Sequence, residues 1–302
     1  MASALTVGER RIQRLRERAI EFVLLVSAAS SVFVTIAIVA VLIYESIGFF
    51  SSVPISEFLF GTTWTPLFAN PRYGILPLLG GTLLSTFVAL LFVAPIGLVT
   101  AIYLSEFASP KVREIVKPIL ELLSGVPTVV YGFFALLFMT PFLQTFVPNL
   151  PGFNILSAGI VIGIMIIPYV ASLSEDAMRA VPNNLRDGSL AMGATRLETA
   201  IKVVLPAATS GVAAAFILGM SRAVGETMIV AIAAGQQPNL TIDPREPAAT
   251  ITAYIVQVAL GDLPHGSLAY QTIFATGLAL LLLTLCFNIA GFWLRHKFRE
   301  VY

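Results

Sequence analysis

The sequence predicts an all-α integral membrane protein with six transmembrane helices. Hydrophobic residues make up 57% of the 302 residues and charged residues only 12%, whereas soluble domains contain about 25% charged residues. The apolar residues are concentrated in long runs, and a helix needs about 20 such residues to cross a bilayer. The net charge of +1 gives no general attraction to nucleic acid, so no nucleic-acid partner is expected.

Long apolar runs alternate with more polar segments along the whole chain. The predicted spans are residues 19–50, 78–104, 118–146, 155–173, 207–235 and 268–294. The connecting segments are residues 1–18, 51–77, 105–117, 147–154, 174–206, 236–267 and 295–302. The first run is longer than the roughly 7–15 apolar residues of a cleaved signal peptide, so it is predicted to remain in the protein.

One further apolar stretch, residues 248–260, is shorter than the roughly 20 residues that a crossing helix needs. It is therefore predicted to be a short helix in or beside the membrane interface, within segment 236–267. Counting it as a span would place the basic C-terminus on the opposite side from the other basic segments.

Two glycines in the fourth span favour close helix packing. Gly159 and Gly163 are separated by about one helical turn. Small residues at this spacing let the backbone of a second helix approach closely. The fourth span is therefore predicted to pack tightly against a neighbour.

Lys and Arg are distributed unevenly among the connecting segments. Cytoplasmic loops of membrane proteins carry an excess of these residues. All of them except Arg72, Arg222 and Arg245 lie in segments 1–18, 105–117, 174–206 and 295–302. The distribution predicts that these four segments, and with them both chain termini, are cytoplasmic.

The fifth span carries an unusual pair of charges, Arg222 and Glu226. Arg222 lies near the middle of this span, where a charged side chain costs roughly 2.5–3.5 kcal/mol on insertion scales. Four residues separate the two, so one helix would present them on one face as a pair worth about 0.2–0.5 kcal/mol. That gain does not offset the cost, so the pair is predicted to face protein or a water-filled cavity. The alternative is a structural pair that pins the span to a neighbouring helix.

The segment before the fifth span has the pattern of two short helices. Residues 184–192 are amphipathic, and Gly193 suits a helix C-terminus. Thr195 and Glu198 have the spacing of a capping box at the start of the next helix. A short amphipathic helix of this kind commonly inserts into a groove of a partner protein. The alternative is an interfacial helix that lies on the lipid.

Several motifs resemble those of a known family. Gly193, followed by Val203-Val204-Leu205-Pro206, resembles the coupling-loop signature of ABC importer permeases: Glu-Ala-Ala, three residues, Gly, nine residues, Ile-x-Leu-Pro. The chain departs from it at Asp187, Gly188, Ser189 and Val203. Ser221-Arg222-Ala223-Val224-Gly225-Glu226-Thr227-Met228 is similar to the Arg-Ala-x-Gly-Glu-Thr of phosphate-specific (Pst) permeases. Residues 123–132 and 77–83 also resemble segments of these permeases. Residues 58–64 resemble PstC rather than PstA subunits.

The resemblance implies a type I ABC importer permease of the MetI-like fold, with a permease domain at about 78–294 and cytoplasmic coupling helices. It implies a bacterial cytoplasmic membrane location and four partners: a homologous PstA-like permease subunit, a PstB-like ATPase dimer, a PstS-like periplasmic phosphate-binding protein, and phosphate itself. The phosphate path is expected to involve Arg222, Glu226 and Thr227. The ATPase is expected to dock on Asn184, Leu185, Asp187, Gly188, Ser189, Ala191 and Gly193.

The residues also weigh against other classes of function. The chain has no phosphate-binding G-x-x-x-x-G-K-[ST] loop, no catalytic constellation and no cluster with metal-ligand spacing, so neither enzymatic activity nor a cofactor is expected. An ion-coupled secondary transporter would use inverted repeats and ion-coordinating broken helices, and the sequence indicates neither. A proton relay would need more intramembrane carboxylates than Glu226. A purely structural subunit would need no charge in the middle of a span. Arg222 alone does not distinguish phosphate from sulfate or molybdate, so these oxyanions remain alternative substrates.

Overall fold

The computed structural model describes residues 7–297, which form an all-α protein whose single β-bridge joins Trp64 to Tyr73. Residues 1–6 of the predicted N-terminal segment, and residues 298–302 of the predicted tail, lie outside the described residues. The all-α prediction is confirmed. The helices are α1 (Val7–Ser52), α2 (Ile55–Phe60), α3 (Leu76–Ile102), α4 (Pro110–Ser124), α5 (Thr128–Phe134), α6 (Thr140–Gln144), α7 (Ile155–Arg179), α8 (Asn183–Ala191), α9 (Arg196–Thr199), α10 (Leu205–Ala207), α11 (Thr209–Val224), α12 (Met228–Ala233), α13 (Ile251–Ala259) and α14 (Leu268–Lys297). Three π-helical turns continue α3, α5 and α9: Tyr103–Phe107, Ala135–Met139 and Ala200–Val204.

Within residues 7–297, four helical stretches are long and apolar enough to cross a bilayer: Arg16–Ser52, Leu76–Phe107, Ile155–Arg179 and Leu268–Trp293. Two more spans result if each of two bent helix pairs counts as one. These pairs are Pro110–Ser124 with Thr128–Gln144, and Arg196–Ala207 with Thr209–Val224. Length and composition therefore allow six membrane helices, four of them continuous and two of them bent.

The centre of the bundle is the contact between α3 and α7, against which α11 also packs. The glycines of α7 make this contact close. A Cβ atom added to Gly159 would lie 2.6 Å from Cγ1 of Val88, and one added to Gly163 would lie 2.9 Å from Cδ1 of Phe92. The predicted close packing of the fourth span is confirmed, with α3 as the partner.

The two ends of the bundle can be told apart by what lies at each end of α7. This helix has 25 residues and is therefore about 37 Å long. At its start, the Asn154 N–H donates to the carbonyl of Ala233, which ends α12. At its other end, Arg186 of α8 donates to the carbonyl of Met178. Helices α12 and α8 thus mark opposite ends of the bundle.

The predicted third span, residues 118–146, is not one straight helix. Helix α4 ends at Ser124, α5 begins at Thr128, and the two directions differ by 87°. Pro127 explains the break, because its ring removes a backbone N–H donor and clashes with the preceding turn of a continuing helix. Helix α4 buries none of its residues, whereas α5 packs against α12 in the bundle.

The predicted fifth span, residues 207–235, is also interrupted. Helix α11 ends at Val224 and α12 begins at Met228. Gly225 closes α11, as expected of the residue that lowers helix stability most after proline. The interruption therefore lies inside the sequence stretch that contains both predicted charges.

The apolar stretch 248–260 contains the short helix α13, and one face of it is buried in protein. Tyr254 packs edge to face on Trp64, with ring centroids 5.0 Å apart, and both side chains are buried. Trp64 belongs to an aromatic cluster that joins the end of α1 to α2, with Phe49 and Phe58 at its centre. This cluster orders the segment between the first two long helices.

Candidate functional site

Arg222 lies in the last turn of α11, and its side chain is partly buried. The carbon at the centre of its guanidinium lies 4.5 Å from the centroid of the Tyr169 ring, a cation–π contact with α7. Among the described residues, Arg222 makes no ion pair within 4.0 Å, and its buried Nε has no hydrogen-bond partner. A buried donor without a partner is rare in native proteins and calls for an explanation, such as a bound ion or water.

Glu226 lies in the interruption between α11 and α12 and is 7% exposed. Its Oε1 accepts hydrogen bonds from the backbone N–H groups of Met228 (3.1 Å) and Ile229 (3.3 Å). Its backbone carbonyl accepts a 2.7 Å hydrogen bond from the hydroxyl of Thr252, at the start of α13. The carboxylate thus accepts the N–H groups that a preceding helical turn would otherwise accept. The carbonyl of Glu226 joins α13 to the same interruption.

The predicted placement of Arg222 and Glu226 on one helix face is wrong, and so is their pairing. Helix α11 ends before Glu226, so the two residues do not belong to one continuous helix. The carboxylate of Glu226 turns to the amides of α12 instead, because those N–H groups would otherwise be buried without acceptors.

The two charged residues nevertheless line one cavity together with Thr227. The cavity has a volume of about 390 Å³ and is lined by Thr128, Ser221, Arg222, Gly225, Glu226 and Thr227. Thr128 is the first residue of α5, so this cavity lies where the two interrupted helices meet. The hydroxyl of Ser221 also contacts the side-chain oxygen of Asn288, at 3.4 Å, and thereby connects the lining to α14. The three residues predicted for the phosphate path thus line one open cavity, together with the hydroxyl-bearing residues Thr128 and Ser221.

The second predicted site, the short helix before the fifth span, is helix α8. Gly193 follows it with a φ of +88°, a left-handed conformation that favours glycine. Thr195 and Glu198 form the predicted capping box at the start of α9. The backbone N–H and the hydroxyl of Thr195 donate to the carboxylate of Glu198. These features of local structure are confirmed.

The residues predicted to dock the ATPase divide into two groups. Five are exposed to solvent: Asn184, Asp187, Gly188, Ala191 and Gly193. The other two, Leu185 and Ser189, are half-buried. Leu185 packs on the hydrophobic cluster between α7 and α11, and the hydroxyl of Ser189 lies 2.9 Å from that of Thr199. One face of α8 therefore rests on the protein while the other is free.

A cluster of charges around Glu175 was not predicted. Glu175 is fully buried in α7, which continues beyond the predicted end of the fourth span at residue 173. Its carboxylate lies 3.0 Å from Nζ of Lys117, which donates to it, and 3.7 Å from Nε of Arg179. Nε of Arg113 is 2.8 Å away, although without the alignment of a hydrogen bond. Acidic and basic residues alternate in segments 105–117 and 174–206, and this pattern could have indicated ion pairs between the two segments.

Comparison with known proteins assigns this chain to a family. Residues 93–300 match the family model described as "Binding-protein-dependent transport system inner membrane component". A probable ABC transporter permease protein, YqgH of Bacillus subtilis, is 35% identical over 94% of both chains. The phosphate transport system permease protein PstC of Xylella fastidiosa is 32% identical over 79% of both chains.

Solved structures agree on the fold. A bacterial ABC transporter that imports the acidic polysaccharide alginate matches with a TM-score of 0.65 and 14% identity, over 97% of this chain and all of that one. The MetNI methionine ABC transporter, in an inward-facing conformation, matches with a TM-score of 0.55 and 21% identity, over 75% of this chain and 95% of that one. The chain therefore belongs to the family of binding-protein-dependent transport system inner membrane components, the multi-pass membrane permeases of ABC importers, and within it is similar to the PstC permeases.

Proposed function

We propose that this chain is the permease subunit of an ATP-driven importer that carries inorganic phosphate across the cytoplasmic membrane by alternating access. The family and the PstC relatives support transport by such an assembly. The uneven distribution of Lys and Arg supports an orientation with both termini in the cytoplasm. In this orientation, α8 faces the cytoplasm and α13 lies towards the periplasm.

The observation that carries the proposal is the unpaired guanidinium of Arg222 on the wall of the cavity. A guanidinium is permanently charged and presents a planar fork of donors that suits the oxygens of phosphate. In the described chain no carboxylate lies within 4.0 Å to neutralise it, and the ring of Tyr169 covers one of its faces. A phosphate in the cavity would accept hydrogen bonds from this guanidinium and supply the negative charge that no carboxylate provides there.

Glu226 has a different role in this mechanism from the one expected of an ion-pair partner. It fixes the interruption of the helix by accepting the N–H groups of Met228 and Ile229, and so keeps Arg222 and Thr227 on one wall. Its negative charge on the same wall also opposes a bound anion. Such opposition keeps phosphate binding weak, which a transport path requires for release.

The proposed partners follow from the family and from the free face of α8. An ATPase dimer docks on the exposed residues of α8, a homologous permease subunit completes the path, and a periplasmic phosphate-binding protein delivers the substrate. Closure of the ATPase dimer on ATP would displace α8 and shift the membrane helices between outward-open and inward-open states. Hydrolysis takes place in the ATPase subunits, and this chain is not itself an enzyme.

The test is uptake of labelled phosphate by proteoliposomes that contain this chain, its homologous permease and its ATPase, with the binding protein outside. We expect uptake to require ATP and to be blocked by unlabelled phosphate but not by sulfate or molybdate. Equal competition by sulfate or molybdate would assign another oxyanion. Uptake that persists without ATP, driven by an ion gradient, would overturn the proposal in favour of a secondary transporter.

A further inference from the structure

Arg186, in the middle of α8, is the most extensively hydrogen-bonded side chain of the segment that faces the ATPase. Its guanidinium donates to both carboxylate oxygens of Glu106, at 3.0 and 3.2 Å. It also donates to the backbone carbonyls of Met178 and Val181 and to the side-chain oxygen of Asn183. One side chain of α8 therefore contacts both α7 and the turn that ends α3.

The ion pair with Glu106 is partly buried and joins distant parts of the sequence. Glu106 lies in the π-helical turn at the end of α3, and its side chain is 11% exposed, against 16% for Arg186. The hydroxyl of Ser105 donates a further 2.7 Å hydrogen bond to Glu106. Because bidentate, charge-assisted contacts are strong and directional, this contact resists displacement of α8 relative to the end of α3.

Short turns join α8 to the helices on either side of it in the chain. On one side α8 is joined to α7 by the turn 180–182, and on the other side Gly193 turns the chain with a φ of +88°. A Cβ atom added to Gly193 would meet nothing within 4 Å. Neither turn connects α8 to α3, so the hydrogen bonds of Arg186 with Glu106 are what join α8 to the end of that helix.

We propose that Arg186 is a positioning residue that clamps α8 to the α3–α7 pair through Glu106, so that displacement of α8 by the ATPase reaches α3. The inference rests on the proposed function, because it assumes an ATPase that moves α8. Without the pair, α8 is displaced at its turns while α3 stays in place. ATP hydrolysis is then separated from transport.

The first test compares Glu106→Gln with the parent chain in the assembled transporter. The variant keeps the shape of the side chain and removes the charge that receives the guanidinium. We expect a normal amount of complex, ATP hydrolysis close to that of the parent, and phosphate uptake per ATP reduced at least about fivefold, the lower end of typical coupling between sites. A purely structural role would reduce the amount of complex and leave the uptake per ATP unchanged.

Two variants accompany it. Arg186→Lys keeps the charge but cannot reach Glu106 and the carbonyls of α7 at once, so an intermediate reduction in uptake per ATP is expected. Lys202→Gln is the matched control, because its side chain is 72% exposed and its ion pair with Glu198 spans 3.5 Å. This control should match the parent. Unchanged uptake per ATP in both Glu106→Gln and Arg186→Lys would overturn the proposal.

A second measurement does not depend on the substrate. Hydrogen exchange of the complex, with and without ATP and vanadate, is followed in α8 and in residues 99–108 at the end of α3. In the parent chain both regions should respond, and in Glu106→Gln only α8 should respond. If the parent responds in this way but carries no phosphate, the clamp stands and only the proposed substrate fails. A response of residues 99–108 that is unaffected by the substitution would refute the clamp.

Discussion

Two charged sites of the bundle differ in how their charge is compensated. Near the α8 end, the carboxylate of Glu175 is fully buried and lies within 4.0 Å of three cationic side chains. Deeper in the bundle, the guanidinium of Arg222 is partly buried, faces a cavity of about 390 Å³, and is contacted by an aromatic ring but by no carboxylate of the described chain. A compensated charge indicates a structural joint, whereas an uncompensated charge indicates a place for a ligand.

Replacing the uncompensated charge should have the largest effect on transport. In Arg222→Gln the side chain loses its charge and its fork of donors, which at buried charge contacts is worth roughly 2–5 kcal/mol, or about 30-fold and more. We expect phosphate uptake to fall by that factor, while the amount and the melting temperature of the complex change little. Arg222→Lys should retain part of the uptake, because it keeps the charge without the fork.

Labelled-phosphate uptake and thermal melting, measured on the same preparations, check this prediction. Uptake by Arg222→Gln at the level of the parent chain would mean that the guanidinium is not part of the path.

Replacing the compensated charge should affect stability instead. Glu175→Gln removes the negative charge that binds Lys117 of α4 to α7, and hydrogen bonds to charged groups are worth about 1.5–3 kcal/mol. We expect a lower melting temperature and less complex in the membrane, with uptake per complex close to that of the parent. Asp176→Asn is the control, because this neighbour of Glu175 also binds Lys117 but is 54% exposed. An equal loss in both variants would contradict the distinction between buried and exposed partners.

Substitution of Tyr169, whose ring contacts Arg222, should have a smaller effect on transport than substitution of Arg222 itself. Tyr169→Leu removes the cation–π contact, which is worth about 0.5–2 kcal/mol depending on how dry the contact is. We expect uptake at limiting phosphate to fall by about twofold to 30-fold. Tyr169→Phe keeps the aromatic face and should resemble the parent. If Tyr169→Phe reduces uptake as much as Tyr169→Leu, the hydroxyl of Tyr169 rather than its ring supports transport.

The exposed ion pair of Arg245 and Asp243 should contribute least to stability of the pairs compared here. Arg245 donates hydrogen bonds to Asp243 and lowers the pKa of that carboxyl to about 2. Because the pKa is lower in the folded chain, the pair stabilises fully above the ordinary Asp pKa of about 3.9, and this contribution is lost as the pH falls towards 2.

The melting temperature of Asp243→Asn should therefore lie slightly below that of the parent at neutral pH. The difference should begin to shrink as the pH falls below about 4 and should disappear near pH 2. A difference that grows on acidification would show that other groups carry the effect.

The sequence supported those predictions that depend on local rules. Apolar run length gave the all-α membrane class, and the spacing of Gly159 and Gly163 gave a close helix contact. Gly193 and the capping box at Thr195 follow from backbone conformation and hydrogen bonding within a few residues. Each of these depends on neighbours in the chain, and all were confirmed.

The sequence did not give contacts between distant segments. The bonds from Lys117 to Glu175 and from Arg186 to Glu106 join residues 58 and 80 positions apart, and no pattern in either segment identifies its partner. The supposed pair of Arg222 and Glu226 was wrong for a related reason. Helical spacing predicts a shared face only while the helix continues, and here the buried amides of α12 compete for the carboxylate.

The closeness of α3 and α7 has a mechanical consequence. With Val88 and Phe92 seated directly over Gly159 and Gly163, the two helices have no room to slide past each other without steric overlap. Close seating of this kind opposes sliding and favours movement of the two helices together. A displacement at one end of α7 would then be carried by both helices towards its other end, about 37 Å away.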